Sequence, residues 1–320
     1  MTDRVSVLLI ALAISALLAP AARSAGSRLG LVDKPSGSGT LKIHARSIPV
    51  VGGIVAVGSV FLSLYVYGEA VAAGVVAGSC VALLVGLVDD VRVLTVWPRL
   101  ALLGVAGAVV SFPLLAEWHL LAALGIVVLT LCTANGVNIL DGQDGLAGGL
   151  VVSAALGLAL AMPDDEMGTT LLGFAVAGAS LGFLVWNRPP ARLFLGNNGA
   201  YALGTLLAVL CGVLIESRGW QGVLAGGTCL GVFAFEVVST LLRRWRTRRS
   251  LTGGDRSHSY DLLASRLRSR ERSTVIFLAF GLAASGAGLL IAYAPPVPAV
   301  AIFLLGILLA VAAGRYLWST

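Results

Sequence analysis

Four polar residues recur at three-residue intervals in the stretch NGVNILDGQDGL, which lies between two long apolar runs. They are Asn135, Asn138, Asp141 and Asp144. Residues three apart are neighbours on a helical turn, so this spacing brings their side chains close together. Carboxylate and carboxamide oxygens are ligands for Mg²⁺, and carboxamides also donate hydrogen bonds to a nucleotide or sugar. The stretch predicts a site for a metal ion and a polar substrate, with an ordinary Asn/Asp/Gly turn as the alternative.

A second acidic motif, LVGLVDDVR, contains the adjacent pair Asp89 and Asp90. Neighbouring carboxylates repel one another and point in different directions on a helix, so they contribute little to stability. The functional interpretation is that one carboxylate binds a hard cation and the other acts on a proton or on a phosphate-bearing substrate. The alternative is that the two charges only mark the end of an apolar helix.

Two basic segments supply candidate phosphate ligands. Residues 30–53 contain Lys42 and His44 close together, and anchoring at the membrane surface is the alternative role for this cluster. Residues 242–272 are rich in arginine, and most of those arginines are expected to contact lipid headgroups or to set the topology. Within that segment, GDRSHSYDLL combines Arg256 and His258 with acids and a tyrosine, a mixture that headgroup attraction does not require. We therefore expect it to contribute to a substrate site.

These motifs lie in a chain that has the composition of a membrane protein. Of its 320 residues, 58% are hydrophobic and only 12% are charged, against roughly 25% charged in a soluble domain. A spanning helix needs about 20 apolar residues, and the runs are too long and too uniform for barrel strands. The sequence predicts an all-α bundle in a single integral membrane domain, with a signal peptide as the alternative for its first run. Eleven spans are expected, with ten as the alternative: 4–22, 48–67, 69–88, 100–116, 119–137, 146–162, 168–186, 198–215, 219–241, 273–293 and 297–315.

The distribution of basic residues predicts the orientation. If the N-terminus is external, the loops 23–47, 89–99, 138–145, 187–197 and 242–272, with the C-terminus, hold 20 of the 22 Lys and Arg residues. The positive-inside rule then places these loops, the C-terminus and the candidate site in the cytosol, at the cell membrane. Membrane lipid explains the net charge of +6, so nucleic acid is excluded as the expected partner. The four cysteines fall within spans and predict neither a disulfide framework nor a zinc site.

Taken in order, the motifs resemble those of the polyprenyl-phosphate N-acetylhexosamine-1-phosphate transferases, also called glycosyl transferase family 4. The resemblance spans most of the chain and is closer to the GlcNAc-1-phosphate transferase branch than to the pentapeptide branch. The motifs that carry it are the 33–53 loop, GLVDD at 86–90, NILDGQDGLAGG at 138–149, FLGNNGAYALG at 194–204 and DRSHSYDLL at 255–263.

The resemblance implies a magnesium-dependent enzyme, with Mn²⁺ as an alternative ion. Such an enzyme moves a sugar 1-phosphate from a UDP-N-acetylhexosamine to undecaprenyl or another polyprenyl phosphate and releases UMP. Whether the lipid phosphate attacks directly or an enzyme intermediate forms stays open, as does a homodimer. The resemblance implies catalytic roles for Asp89, Asp90 and His258 and metal binding by Asp144 and Asn197. Substrate binding is expected from the remaining members of the predicted site, Lys42, His44, Asn138, Asp141, Asn198 and Arg256.

Two departures from the family pattern raise an alternative function. The family's FxGDxGS signature has a metal-binding Asp where this chain has Asn197, and one histidine, His258, remains of a histidine-rich segment. An Asn carbonyl can bind magnesium, but without a formal charge it holds the ion more weakly. The alternative is a family member that binds a nucleotide sugar or lipid phosphate without catalysis. A secondary transporter is less favoured, because Glu236 is the only acid deep within a predicted span.

Overall fold

The computed structural model describes residues 2–34, 47–116, 120–248 and 257–319. The predicted site residues Lys42, His44 and Arg256 lie outside these described ranges. The described chain is almost entirely helical, with one two-stranded antiparallel sheet that pairs β1 (Val32–Asp33) with β2 (Ile48–Pro49). The helices are α1 Thr2–Arg28, α2 Gly52–Tyr67, α3 Ala73–Arg92, α4 Val96–Ala116, α5 Leu120–Leu140, α6 Leu146–Ala161, α7 Met167–Asn187, α8 Gly196–Arg218, α9 Trp220–Cys229, α10 Gly231–Arg246, α11 Ser259–Leu267, α12 Arg270–Tyr293 and α13 Pro296–Trp318.

Each of the eleven predicted apolar runs coincides with a helix or, for 219–241, with the helix pair α9 and α10. Within the described ranges, seven helices are long and apolar enough to cross a bilayer: α1, α3, α5, α7, α8, α12 and α13. The pair α9 and α10 makes an eighth if it is one span, although the two helices meet at 71°. The apolar helices α2 and α6, and α4 as far as Phe112, are shorter. The chain is a polytopic helical membrane protein, as its composition predicted.

Two features of the 242–272 segment differ from the expected loop. Helix α10 continues to Arg246, and the short helix α11 occupies Ser259–Leu267. A nine-residue helix with polar and basic residues has no apolar run, which is why span-finding by hydropathy passes over it.

Helices α7 and α8 form the centre of the bundle, and α13 lies at its periphery. Helix α1 packs against α7 at close range, because a Cβ at Gly178 would lie 2.2 Å from the carbonyl oxygen of Leu8. Helices α3 and α5 pack along α8, and α2 packs against both α7 and α8. This arrangement places the N-terminus of α8 beside the C-terminal ends of α3 and α5, where the acidic motifs lie.

Candidate active site

The N-terminus of α8 is held by the carboxylate of Asp90. The backbone N–H of Asn197 donates to Asp90 Oδ1 at 2.9 Å, and that of Asn198 donates to Asp90 Oδ2 at 3.1 Å. The first N–H groups of a helix have no partner within the helix and carry its positive dipole end, so a carboxylate is favoured there. Gly196 begins α8 with φ +75°, a left-handed conformation that glycine adopts without strain. The predicted catalytic Asp90 thus joins α3 to the FLGNNG motif.

A glycine one turn before the acidic pair allows this contact. A Cβ at Gly86 would lie 2.4 Å from the backbone carbonyl of Asn197, so any side chain there would push α3 away from α8. The glycine of GLVDD is therefore a packing requirement of the site, since it brings Asp90 within reach of the α8 N-terminus.

Asn198 ties three distant segments together. Its Nδ2 donates to Asp90 Oδ2 at 2.6 Å and to the carbonyl oxygen of Val50 at 2.6 Å. Beside it, the N–H of Phe194 donates to the carbonyl oxygen of Pro49, extending the contact with β2. The Asn198 side chain is fully buried, so in this structure its amide nitrogen serves the protein interior. Its geometry is that of a residue that orders the 47–53 segment, and its predicted contact with the substrate stays a prediction.

The stretch NILDGQDGL lies against the same helix end. Asn138 Nδ2 donates to Asn197 Oδ1. The backbone N–H of Gly196 donates to the Asp141 carboxylate, and Asp141 interacts electrostatically with Asp90 and Asp144. Burial, followed by the charge of Asp90, raises the pKa of Asp141 well above its usual value, and Asp144 adds to the increase. The two motifs predicted to act together therefore share one acidic cluster, defined here as Asp90, Asp141 and Asp144.

Asp144 and the following turn are held from the other side by the last residue of α7 and by residues that follow it. Asp144 Oδ2 accepts from the N–H of Ala191 at 2.9 Å. Asn187, which is 3% exposed, accepts from the N–H of Gly145 and donates to the carbonyl oxygen of Leu193, both at 2.9 Å. Sequence reasoning missed Asn187. The signal available was a carboxamide at the very end of an apolar run, a place where buried backbone groups need partners.

Asp89 points away from the acidic cluster. Its carboxylate accepts from the Tyr201 hydroxyl at 2.6 Å and from the N–H of Leu94 at 2.5 Å, and it pairs with Arg99 at 3.8 Å. The Asp89 side chain is almost fully buried. The adjacent acids are thus divided, because Asp90 contacts α8 at its N-terminus and Asp89 anchors the turn between α3 and α4.

His258 is connected to the 138–145 turn by the ring of Tyr260. It precedes α11, and its ring stacks on Tyr260 with centroids 5.6 Å apart. The Tyr260 hydroxyl lies against Gly142, where a Cβ would come within 2.0 Å of it. His258 Nδ1 lies 3.3 Å from Glu236 Oε1. The structure therefore brings α11 beside the 138–145 turn, and it adds Glu236, which sequence reasoning had considered only for transport.

The acidic cluster has the donor chemistry for a hard cation. None of the salt bridges between described residues involves Asp90, Asp141 or Asp144. Across the described ranges, no three His, Cys, Asp or Glu side chains form a metal-holding group by themselves. Mg²⁺ commonly keeps several waters and binds one or two carboxylates together with substrate phosphates, so a complete protein cage is not required. The residues fit a magnesium ion that is shared with a phosphate ligand.

Fold and site together define an integral membrane protein that gathers carboxylates and carboxamides at the meeting point of three helix ends. Residues 72–215 match the model of glycosyl transferase family 4. The chain is 28% identical over 285 residues to the probable undecaprenyl-phosphate N-acetylglucosaminyl 1-phosphate transferase of Bacillus subtilis (strain 168), covering 82% of this chain and 78% of the relative. The match of residues 72–215 to glycosyl transferase family 4 agrees with the resemblance that the motifs predicted.

Two further relatives come from the two branches of that family. The undecaprenyl-phosphate alpha-N-acetylglucosaminyl 1-phosphate transferase of Thermotoga maritima is 27% identical over 256 residues, which is 78% of each chain. A phospho-N-acetylmuramoyl-pentapeptide-transferase of Synechococcus sp. (strain JA-2-3B'a(2-13)) is 40% identical, but over 125 residues, or 38% of this chain and 34% of the relative. The long alignments are thus with N-acetylglucosaminyl 1-phosphate transferases, consistent with that branch.

Proposed function

We propose that this protein transfers an N-acetylhexosamine 1-phosphate from a UDP-sugar to a polyprenyl phosphate at the cytosolic membrane face, releasing UMP. The observation that carries the proposal is the convergence of GLVDD, NILDGQDGL and FLGNNG on the N-terminus of α8, where they form one acidic cluster. The names of the B. subtilis and T. maritima relatives support the transfer of a phosphosugar to undecaprenyl phosphate.

For this reaction the site must bring together the phosphates of the donor and of the acceptor lipid, which are all anionic. In a direct transfer, an oxygen of the lipid phosphate would attack the sugar-bearing phosphorus of the donor. The bond from that phosphorus to the bridging oxygen would break, and UMP would leave with the bridging oxygen. Bound Mg²⁺ would neutralise the phosphate charges during this exchange. Asp144 and the Asn197 carbonyl would hold the ion, with the carboxylates of Asp90 and Asp141 beside them in the same cluster. Asp89 would act indirectly, by fixing the turn that positions Asp90.

Cationic and hydrogen-bonding groups would complete the phosphate site. His258 stands beside the 138–145 turn through Tyr260, where its ring can meet a phosphate oxygen. Lys42, His44 and Arg256 are proposed to serve the same phosphates from segments outside the described ranges. Asn138 is proposed to contact the nucleotide or sugar, because its carboxamide lies at the cluster beside Asn197.

The proposed cytosolic location rests on the charge distribution. The 138–145 turn after α5 contacts Tyr260, and His258 beside it lies 3.1 Å from Thr240, close to the arginine-rich end of α10. The positive-inside rule assigns that end to the cytosol, where UDP-sugars are made and where a lipid phosphate can meet them at the membrane surface. Single cysteines introduced at the exposed positions 98 and 319 of a Cys-free variant test this assignment. They should react with a membrane-impermeant thiol reagent in inverted vesicles and not in intact cells.

Release of UMP tests the proposed reaction. Purified protein in nanodiscs with Mg²⁺ and undecaprenyl phosphate is expected to release UMP from at least one member of a panel of UDP-N-acetylhexosamines. An Asp90→Asn variant serves as the control, because it removes a carboxylate of the cluster and should abolish the release. If the native protein releases no UMP from any member of the panel, the proposed reaction is refuted.

A second candidate function, binding without catalysis, is favoured by Asn197. Its side chain has no charge, and its carbonyl oxygen already accepts a hydrogen bond from Asn138. The variant Asn197→Asp separates the two functions, because a carboxylate retains that hydrogen bond and adds a charged ligand for the ion. Activity in the native protein supports the transferase. A silent native protein with an active Asn197→Asp variant supports the binder.

A further inference from the structure

A buried acid lies behind His258. Glu236, on α10, is 0% exposed, although it belongs to a helix pair that is apolar enough to cross the membrane. Its Oε1 lies 3.3 Å from His258 Nδ1, and it accepts from the N–H of Ser259 at 3.0 Å and from Thr240 Oγ1 at 3.4 Å. A charged group inside a span is costly unless it pairs with another polar group. Here the carboxylate is directed at a histidine and at the first turn of α11.

These contacts determine which nitrogen of His258 can act. The Thr240 hydroxyl donates its one hydrogen to Glu236 Oε1, so toward His258 Nδ1 it can only accept, and an Nδ1–H satisfies both this oxygen and the nearby carboxylate. Thr240 Oγ1 lies 3.1 Å from the same Nδ1 and closes that side of the ring. In the described part of the chain, His258 Nε2 has no hydrogen-bond partner. With Nδ1 protonated, Nε2 is the nitrogen that can meet a ligand, either as an acceptor or, in the imidazolium, as a donor.

The same acid also sets the position of the ring. Glu236 accepts from the N–H of Ser259, the residue directly after His258, so one carboxylate holds both the side chain and the backbone at this point. Ser239 Oγ lies 2.9 Å from Ser259 Oγ and adds a second link between α10 and α11. On its other face the ring stacks on Tyr260. Rotation of the imidazole would break at least two of these contacts.

We propose that Glu236 is a positioning residue for His258: it holds Nδ1 protonated and directs Nε2 toward the substrate phosphates. This role rests on the proposed transferase function, in which His258 contacts phosphate. It also accounts for the acid deep in the α9–α10 pair without transport, because its carboxylate is engaged within the protein.

A double-mutant cycle tests the coupling. Glu236→Gln keeps the size and one acceptor but removes the charge, and it should lower kcat/KM for UMP release about 10- to 100-fold, the range found when a partner that orients a histidine is lost. If Glu236 acts through His258, the same change in a His258→Gln background should cost less than about twofold. Glu216→Gln, at an exposed residue of α8, is the matched control and should leave the rate unchanged. Equal losses in both backgrounds would show a general structural role and overturn the proposal.

A second measurement does not depend on activity. The chain has three histidines, so ¹⁵N-histidine labelling gives few signals, and the His258→Gln variant assigns the one of interest. The native protein should show His258 protonated at Nδ1, and Glu236→Gln should shift its signals toward a mixture of tautomers. A neutral His258 protonated only at Nε2 in the native protein would overturn the proposal, even if Glu236→Gln fails to fold. If UMP release is absent but the nitrogen signals are as expected, the proposed function fails and the Glu236–His258 pair stands.

Discussion

Replacing Tyr201 by Phe should destabilise the protein through Asp89. The Tyr201 hydroxyl donates to Asp89 Oδ2 at 2.6 Å, and both side chains are buried, at 0% and 3% exposure. A hydrogen bond to a charged group contributes about 1.5–3 kcal/mol, and its loss leaves Asp89 with Leu94 and Arg99 as partners. We therefore expect a loss of about 2 kcal/mol, which in a chain of 320 residues lowers the Tm by about 3 °C.

A thiol-reactive fluorescent dye can follow the transition, because Cys211 and Cys229 are buried in the native state. Tyr65→Phe is the matched control, since Tyr65 is 80% exposed and should melt like the native protein. In an Asp89→Asn background the Tyr201→Phe cost should fall to under about 1 kcal/mol, because the charged acceptor is gone. An equal shift in both backgrounds, or no shift at all, would refute the assignment of Asp89 to this buried network.

Three further substitutions probe the turns around the site, all by the same melting assay. Gly142→Ala should lower the free energy of unfolding by about 1–3 kcal/mol, because its Cβ would lie 2.0 Å from the Tyr260 hydroxyl oxygen. Gly227→Ala, whose Cβ meets open space, is the control and should lower it by under about 0.5 kcal/mol. Equal shifts in Tm for the two variants would contradict the packing argument. Asn187→Ala should cost about 2–4 kcal/mol, because it leaves a buried N–H and a buried carbonyl without partners, and a near-native Tm would contradict this. Asp141→Asn should stabilise the metal-free protein. Because the pKa of Asp141 is raised, the folded state binds a proton at this carboxyl more tightly than the unfolded state does. The free energy of unfolding of the native protein therefore falls as the pH rises through that pKa. The stabilisation should therefore be largest at high pH and vanish below about pH 4, near the unfolded pKa, and a gain independent of pH would argue against it.

Hydropathy predicts the fold well here because the bilayer imposes long apolar helices. Every apolar run became a helix, since lipid leaves the backbone no other way to satisfy its hydrogen bonds. The 71° bend between α9 and α10 was not predicted, because Leu230 at the break is as apolar as its neighbours. Helix α11 was missed for the opposite reason: its stability comes from packing against α12 and the 138–145 turn, not from its own hydropathy.

The sequence predicted which residues form the site better than it predicted which contacts they make. Polar residues at span ends identified the cluster, because such groups are costly next to lipid. The sequence could not separate Asp89 from Asp90, since two adjacent acids have the same composition and differ only in which neighbouring helix each one meets. Glu236 appeared isolated because its partner His258 directly precedes another helix, α11, 22 residues along the chain.

The dipoles of the helices sharpen the case for a cation at the cluster. Asp90 lies in the last turn of α3 and Asp141 directly after α5, so each carboxylate stands at the negative end of its own helix, where an anion is disfavoured. The N-terminus of α8 offsets this for Asp90 through three hydrogen bonds, but it gives Asp141 one, from Gly196. Burial, and then the charges of Asp90 and Asp144, keep the pKa of Asp141 raised. A fold selected only for stability would replace it, whereas a site that binds a divalent ion and phosphates gains from a carboxylate that no resident cation has already neutralised.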